Sequence, residues 1–196
     1  MDRRELIRQI ALLTGATFIG SEWLLSGCKA PGSQEAGFTA AHTALLDEVG
    51  ETIIPATATP GAKAAQVGNF MKTFVTDCYT EKEQQAFIAG MTSLDEACKK
   101  MHGKSFADCD AEKRKSFLLS LEKEAKAYNE KNDKENQTRS EENKLPGHYY
   151  TMIKQLTLFG FFTSKTGATE TLRHVSVPGR YDGAFAYKPG DKAWAE

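Results

Sequence analysis

Few side chains in this sequence are arranged for chemistry, and the best placed is a thiol near the start. Cys28 follows Leu25, Ser26 and Gly27. A branched apolar residue, two small residues and a cysteine form the pattern of a bacterial lipobox, in which the cysteine becomes the acylated first residue of the mature chain. The stretch before it fits an export signal. Arg3 and Arg4 make a basic start, Ile10 to Ile19 a mild apolar run broken by Thr14 and Gly15, and Ser26 and Gly27 the small residues of a cleavage site. Apolar residues run round the whole of that helix, unlike a surface helix. Arg8 and Glu22 speak against a membrane-spanning segment, where a central charge costs about 2.5–3.5 kcal/mol. Paired arginines resemble a twin-arginine signal, which exports proteins already folded. The competing reading is a helix ending at Gly27 with an idle cysteine.

An acylated Cys28 would anchor the chain rather than span it, since several acyl chains hold where one is marginal. The expected location is the periplasmic face of a bacterial membrane, and Lys29 mildly favours the outer one. Other chemistry is sparse. The histidines, His42, His102, His148 and His174, are scattered, and Asp95 and Glu96 sit among helical charges. The chain has no Gly-rich dinucleotide loop after a strand, no haem-attachment motif and no paired-histidine zinc helix. No catalytic, cofactor-binding or metal-ligating residue is assigned.

Once Cys28 is lipidated, Cys78, Cys98 and Cys109 remain, an odd number for an oxidising compartment. In a continuous helix opening at Thr80, Cys98 lies about 26 Å along the axis while Cys78 stays at the turn. That exceeds the roughly 7 Å limit between bridged α-carbons. Cys98 with Cys109, stapling the loop "KKMHGKSFAD", is the expected pair. The alternative is that Cys78 and Cys98, both on apolar stripes, are buried thiols.

These residues need elements to hold them. Residues 1–27 read as the signal peptide, 28–39 as a small, polar, flexible tether, and 40–196 as one helical domain. In "HTALLDEVGETIIP", Leu45, Leu46, Val49 and Ile53 share a face, and Pro55 stops the helix. Val67, Phe70, Met71, Phe74, Val75 and Cys78 form the densest amphipathic signal. Thr80 and Glu83 make a capping box for a helix with Phe87, Met91, Leu94, Cys98 and Met101 on one stripe. Asp110 is a natural N-cap for a helix facing Phe117, Leu118, Leu121, Ala125 and Tyr128 inward.

That helix runs into residues 129–144, which contain no apolar side chain. Such a run cannot pack and is either a solvated extension or a mobile loop; its Asn136-Gln137-Thr138 sequon reads as chance. In "PGHYYTMIKQLTLFGFF", Tyr149, Met152, Ile153, Leu156 and Phe159 make one face, with Leu158, Phe161 and Phe162 crowding the end. A helix apolar on more than one side is central or covered. The Gly-, Pro- and aromatic-rich tail holds only a short helical piece near 168–175. The expected fold class is all-α: a single irregular helical bundle of about five helices with an extended aromatic C-terminal tail. With 25 basic and 26 acidic side chains, no net field favours nucleic acid.

The segments "LLDEVGETIIPATATPGA", "LTLFGFFTSKTGATETL" and "PGRYDG" together resemble the gluconate 2-dehydrogenase subunit 3 family, over about residues 40 to 185. The resemblance implies a noncatalytic auxiliary subunit of a membrane-associated, flavin-dependent dehydrogenase of the glucose-methanol-choline type, acting on a sugar or sugar acid. It implies a catalytic partner that binds FAD, a cytochrome c as electron acceptor, and a role for the small subunit in folding, export and anchoring of that partner. The lipobox departs from the pattern, since not every member carries one. Leu158, Phe159, Phe161, Phe162 and Tyr181 are the expected partner contacts, with ordinary core as the competing reading. A stand-alone periplasmic lipoprotein that binds a small sugar or scaffolds the envelope is the other function the residues allow.

Overall fold

The computed structural model describes residues 37–177, 179–180 and 182–195. The chain divides into two units, 1–34 and 35–196, and the described residues belong to the second. They form five α-helices: α1 (Ala40–Ile53), α2 (Val67–Cys78), α3 (Glu81–His102), α4 (Ala111–Asn136) and α5 (Tyr149–Thr163). A short 3-10 turn (Phe106–Asp108) joins α3 to α4, and a π-helical turn (Gly167–Thr171) follows α5. No strand occurs among the described residues. One isolated parallel bridge, between Arg173 and Trp194, ties the tail back on itself. The fold is the all-α bundle its sequence predicts.

Helix starts are set by side-chain caps. Thr39 accepts from His42 N, and His42 Nδ1 accepts in return from Thr39 N, a capping box with histidine in the third position. Thr80 and Glu83 form the capping box expected of them, and Asp110 accepts from Lys113 N. α2 and α3 are separated only by Tyr79 and Thr80, as an antiparallel hairpin requires.

The core takes Leu46 and Val49 from α1, Val67, Met71 and Val75 from α2, Phe87, Met91, Leu94 and Cys98 from α3, and Phe117, Leu118 and Leu121 from α4. α5 packs against all four other helices, and Tyr150, Met152, Ile153, Leu156 and Phe161 fill the centre. Its apolar residues on several sides follow from that central place. Phe38, just before α1, is already buried and lies 6.0 Å from the Phe87 ring.

Several expected inward residues prove exposed. Met101 and Tyr128 are about half exposed at the ends of their stripes, Tyr128 keeping an edge contact with the His148 ring at 5.3 Å. Cys78, the last residue of α2, is exposed and not a buried thiol.

The larger difference concerns the polar run after Tyr128. α4 continues through it to Asn136, and Asn132 is only 5% exposed. Asn129, Asn132 and Asn136 recur at helical spacing and hold the returning chain by its backbone. Asn136 donates to Leu145 O (3.1 Å) and accepts from Leu145 N (2.8 Å). Asn132 donates to Pro146 O (2.8 Å) and Leu145 O (3.3 Å). Asn129 accepts from His148 N (2.9 Å) and donates to Thr151 Oγ1 (2.8 Å). The run packs through amides rather than methylenes, satisfying backbone groups that would otherwise be buried unpaired.

Candidate functional site

Two surfaces have more than ordinary local construction. The first is the loop between α1 and α2, residues 54–66, held by carboxylates of α1. Glu51 accepts from Ala56 N (2.8 Å) and Lys63 N (2.9 Å). Glu48 pairs with Lys63 Nζ and with Arg114 Nη1, and Asp47 accepts from Gly68 N (2.8 Å) at the start of α2. The hydrogen bond from Lys63 holds the Glu48 carboxyl below its ordinary range; desolvation opposes it and Arg114 adds to it. Gly61 lies against the Glu51 carboxylate: a Cβ there would sit 2.4 Å from both of its oxygens. These bonds fold the loop back so that Ala62, fully buried, seals the α1–α2 junction.

The second surface is apolar and lies where α2 and the end of α5 meet. Phe70, Phe74 and Phe159 form a triangle of rings with centroids 5.6, 5.6 and 5.7 Å apart. Gly160 makes this possible, because a Cβ there would stand 2.5 Å from the Phe70 ring. Beside the cluster the end of α5 is uncovered: Phe159 is 48% exposed, Phe162 41% and Leu158 40%. At helical spacing, 158, 159 and 162 share one side of α5.

Phe161, expected among the contact residues, points the other way and is 1% exposed. The turn after α5 folds behind it: Ser164 donates to Phe161 O from both N and Oγ, and Gly167 N donates to Ser164 Oγ. Phe161 is core, and the surface consists of Leu158, Phe159 and Phe162. Tyr181, the fifth expected contact, lies outside the described residues, as do Arg3, Arg4 and Cys28. In the tail, the Arg173 guanidinium lies over the rings of both Trp194 and Phe185, 4.3 and 4.9 Å from their centroids, and the two rings meet edge to face at 5.6 Å.

Titratable groups do not gather into a reaction centre among the described residues, and no set of three or more potential metal ligands occurs there. His42 and His148 serve as helix caps, His148 Nδ1 accepting from Tyr150 N (3.2 Å). Burial lowers the His148 pKa and pushes Tyr149 and Tyr150 up to about 12 each. Asp95 accepts from Phe106 N and pairs with Lys99, while no bond joins it to Glu96. Cys98 and Cys109 are brought together, with Sγ atoms 3.7 Å apart and both residues buried. No described helix is long and apolar enough to cross a membrane.

Fold and surface define a helical protein whose developed features are a pinned loop and an uncovered aromatic face. More specifically, the family model described as gluconate 2-dehydrogenase subunit 3 matches residues 40–179, and the chain belongs to that family. The matched span opens at the first residue of α1 and takes in all five helices and the π turn. Its family consists of auxiliary subunits of a larger dehydrogenase complex. No curated protein and no solved structure matches the chain.

Proposed function

We propose that this chain is the noncatalytic auxiliary subunit of a membrane-associated, flavin-dependent sugar or sugar-acid dehydrogenase, and that the Leu158–Phe159–Phe162 face binds the catalytic subunit. The carrying observation is that face: two half-exposed rings and a leucine on one side of the central helix, inside the family-matched span. Burying what remains exposed of each ring, roughly half of the 150–250 Å² an aromatic offers, is worth ~2–3 kcal/mol at about 25 cal/mol/Å². FAD belongs to the partner, of the glucose-methanol-choline type, and electrons pass from it to a cytochrome c. Arg3 and Arg4 carry the folded pair across the inner membrane by the twin-arginine route, and acylated Cys28 anchors it on the periplasmic face.

The test is isolation of the mature protein from its native membranes. A larger flavin-bearing chain with dye-reducing sugar oxidation should accompany it. The double variant F159S/F162S, if still helical, should lose that companion, with affinity weakened by about 10³- to 10⁴-fold. A wild-type protein that comes out alone, colourless and inert overturns the reading. Arg3→Lys with Arg4→Lys should leave the partner in the cytoplasm, and normal export of the partner would remove the escort role.

A further inference from the structure

The passage from α3 to α4 is held in place from three sides. Asp95, on α3, accepts from Phe106 N (2.9 Å). Arg114, on α4, donates through Nε to Cys109 O (2.9 Å) and through Nη2 to Ala107 O, and its guanidinium lies 5.6 Å from the Phe106 ring centroid. Its remaining arm reaches Glu48 on α1 (2.6 Å). Phe106 is fully buried and packs on Phe117. Every one of these contacts forms without a covalent link, and their joint effect is to set Cys109 over Cys98. The Sγ atoms touch at 3.7 Å, Cys98 is 0% exposed and Cys109 6%.

We propose that Cys98 and Cys109 are a modification site: a dithiol that closes to an intramolecular disulfide on meeting a disulfide oxidant, and reopens under reduction. The two sulfurs have to close from 3.7 Å to the ~2.05 Å of a disulfide bond. Cys78 cannot substitute, being exposed at the far end of the α2–α3 turn, about 26 Å along α3 from Cys98.

The reaction is a thiol–disulfide exchange in two steps. The Cys109 sulfur, having lost its proton to solvent, attacks one sulfur of the oxidant's disulfide and expels the other as a thiol. The deprotonated Cys98 sulfur then attacks Cys109 Sγ and expels the second thiol. Two cysteine thiols thereby give up two electrons and two protons, and the oxidant, a protein thiol oxidase or oxidised glutathione, leaves as two thiols. Burial and the contact with Cys109 push the Cys98 thiol up to about 12. Exchange at the buried pair therefore proceeds through local opening of the α3–α4 corner, which exposes Cys109 first, and is slower than reaction at the exposed Cys78.

Closing this short loop ties the α3–α4 corner to the Glu48–Arg114 anchor on α1, so the bond rigidifies the end of the bundle remote from the polar Asn ladder. A loop of this length shifts the unfolding midpoint by about 5–12 °C in a domain of this size.

The experiment uses the purified full chain, equilibrated with oxidised glutathione, trapped with iodoacetamide in denaturant so that every remaining thiol is alkylated, and digested without reductant. Mass spectrometry should find one cross-linked peptide joining Cys98 to Cys109, two hydrogens lighter than the sum of its parts, with Cys78 alkylated. The midpoint of the wild type and of C78S should fall by the stated amount on adding reductant, and that of C98A/C109A should not respond. Alkylated Cys98 and Cys109 in the wild type after oxidation, or a cross-link through Cys28 or Cys78 in place of the expected one, overturns the proposal. Neither result bears on whether the Leu158–Phe162 face binds a partner.

Discussion

Glu51 is the residue on which the α1–α2 loop turns, and removing its carboxylate has a calculable local effect. In Glu51→Ala the amides of Ala56 and Lys63 lose their acceptors, two charge-assisted bonds of 2.8 and 2.9 Å. Bonds to a charged group contribute about 1.5–3 kcal/mol each when water is excluded, but these amides lie in an exposed loop where water replaces the lost acceptor, so about 1 kcal/mol each is the fitting scale. A total of ~2 kcal/mol raises the open population of the loop about 30-fold. Hydrogen exchange followed by NMR should show that acceleration at Ala56 and Lys63, while amides in the middle of α3 move only with the small global change. Glu51→Gln keeps one acceptor oxygen and turns an NH2 toward the other amide, so one of the two should accelerate and the other not. Gly61→Ala forces a Cβ to within 2.4 Å of the same oxygens. In the Glu51→Ala background the clash with the oxygens is relieved while that with Ala56 N (2.6 Å) remains, so the two substitutions should be less than additive but Gly61→Ala should still cost stability. Exchange at Ala56 and Lys63 unchanged within about threefold in Glu51→Ala would refute the pinning argument.

Two further outcomes follow from the polar contacts around α5. Asn132→Ala leaves Pro146 O without its donor, since Leu145 O retains Asn136, and should cost about 1–3 kcal/mol, read as a lowered thermal midpoint. Asn132→Asp should be worse at neutral pH, where a carboxylate faces two carbonyl oxygens, and should recover as acidification restores a donor; stability equal to wild type at pH 7 would sink the ladder's role. His148 is neutral in the fold because Nδ1 must accept from Tyr150 N, and its pKa lies below 6.5 by burial. The unfolded chain therefore takes up the proton first, so this residue's stabilisation is complete above pH 6.5 and is lost as pH falls through the lowered folded value. Thermal midpoints from pH 7.5 to 5 should show that decline, and His148→Asn, which keeps a cap without a titrating ring, should flatten it.

What the sequence made legible was whatever acts over one or two turns. The Val67–Val75 and Phe87–Cys98 stripes, the Thr80–Glu83 box and the Asp110 cap are local patterns, and each appears where its spacing puts it. The adjacency of Cys98 and Cys109 was also within reach, because a short connection constrains both ends. The Asn ladder was not. Three asparagines in a charged run carry no hydrophobic period, and their partners, residues 145–151, become visible only once the chain has come back. Glu51 escaped notice for the same reason, its partners being backbone amides that no side-chain pattern encodes.

The face of α5 shows how a local reading fails where everything is apolar. From Leu156 to Phe162 nearly every position is hydrophobic, so periodicity cannot say which ring faces in. The outcome is decided from outside the helix. Gly160 admits Phe70 from α2, which draws Phe159 into a ring cluster on that side, while the Ser164–Gly167 turn caps the carbonyl of Phe161 and closes over it. Phe161 is thereby committed to the core and Leu158, Phe159 and Phe162 are left outward. Exposure at these three follows from the turn and from α2, both within the family-matched span. Ser164→Ala, which leaves only the Ser164 N bond to Phe161 O, should loosen the turn, shift the end of α5 and bury part of the proposed docking face. Weaker partner binding in Ser164→Ala, with no contact residue changed, is therefore the expected result; undiminished binding would show that the outward set is held by α2 alone.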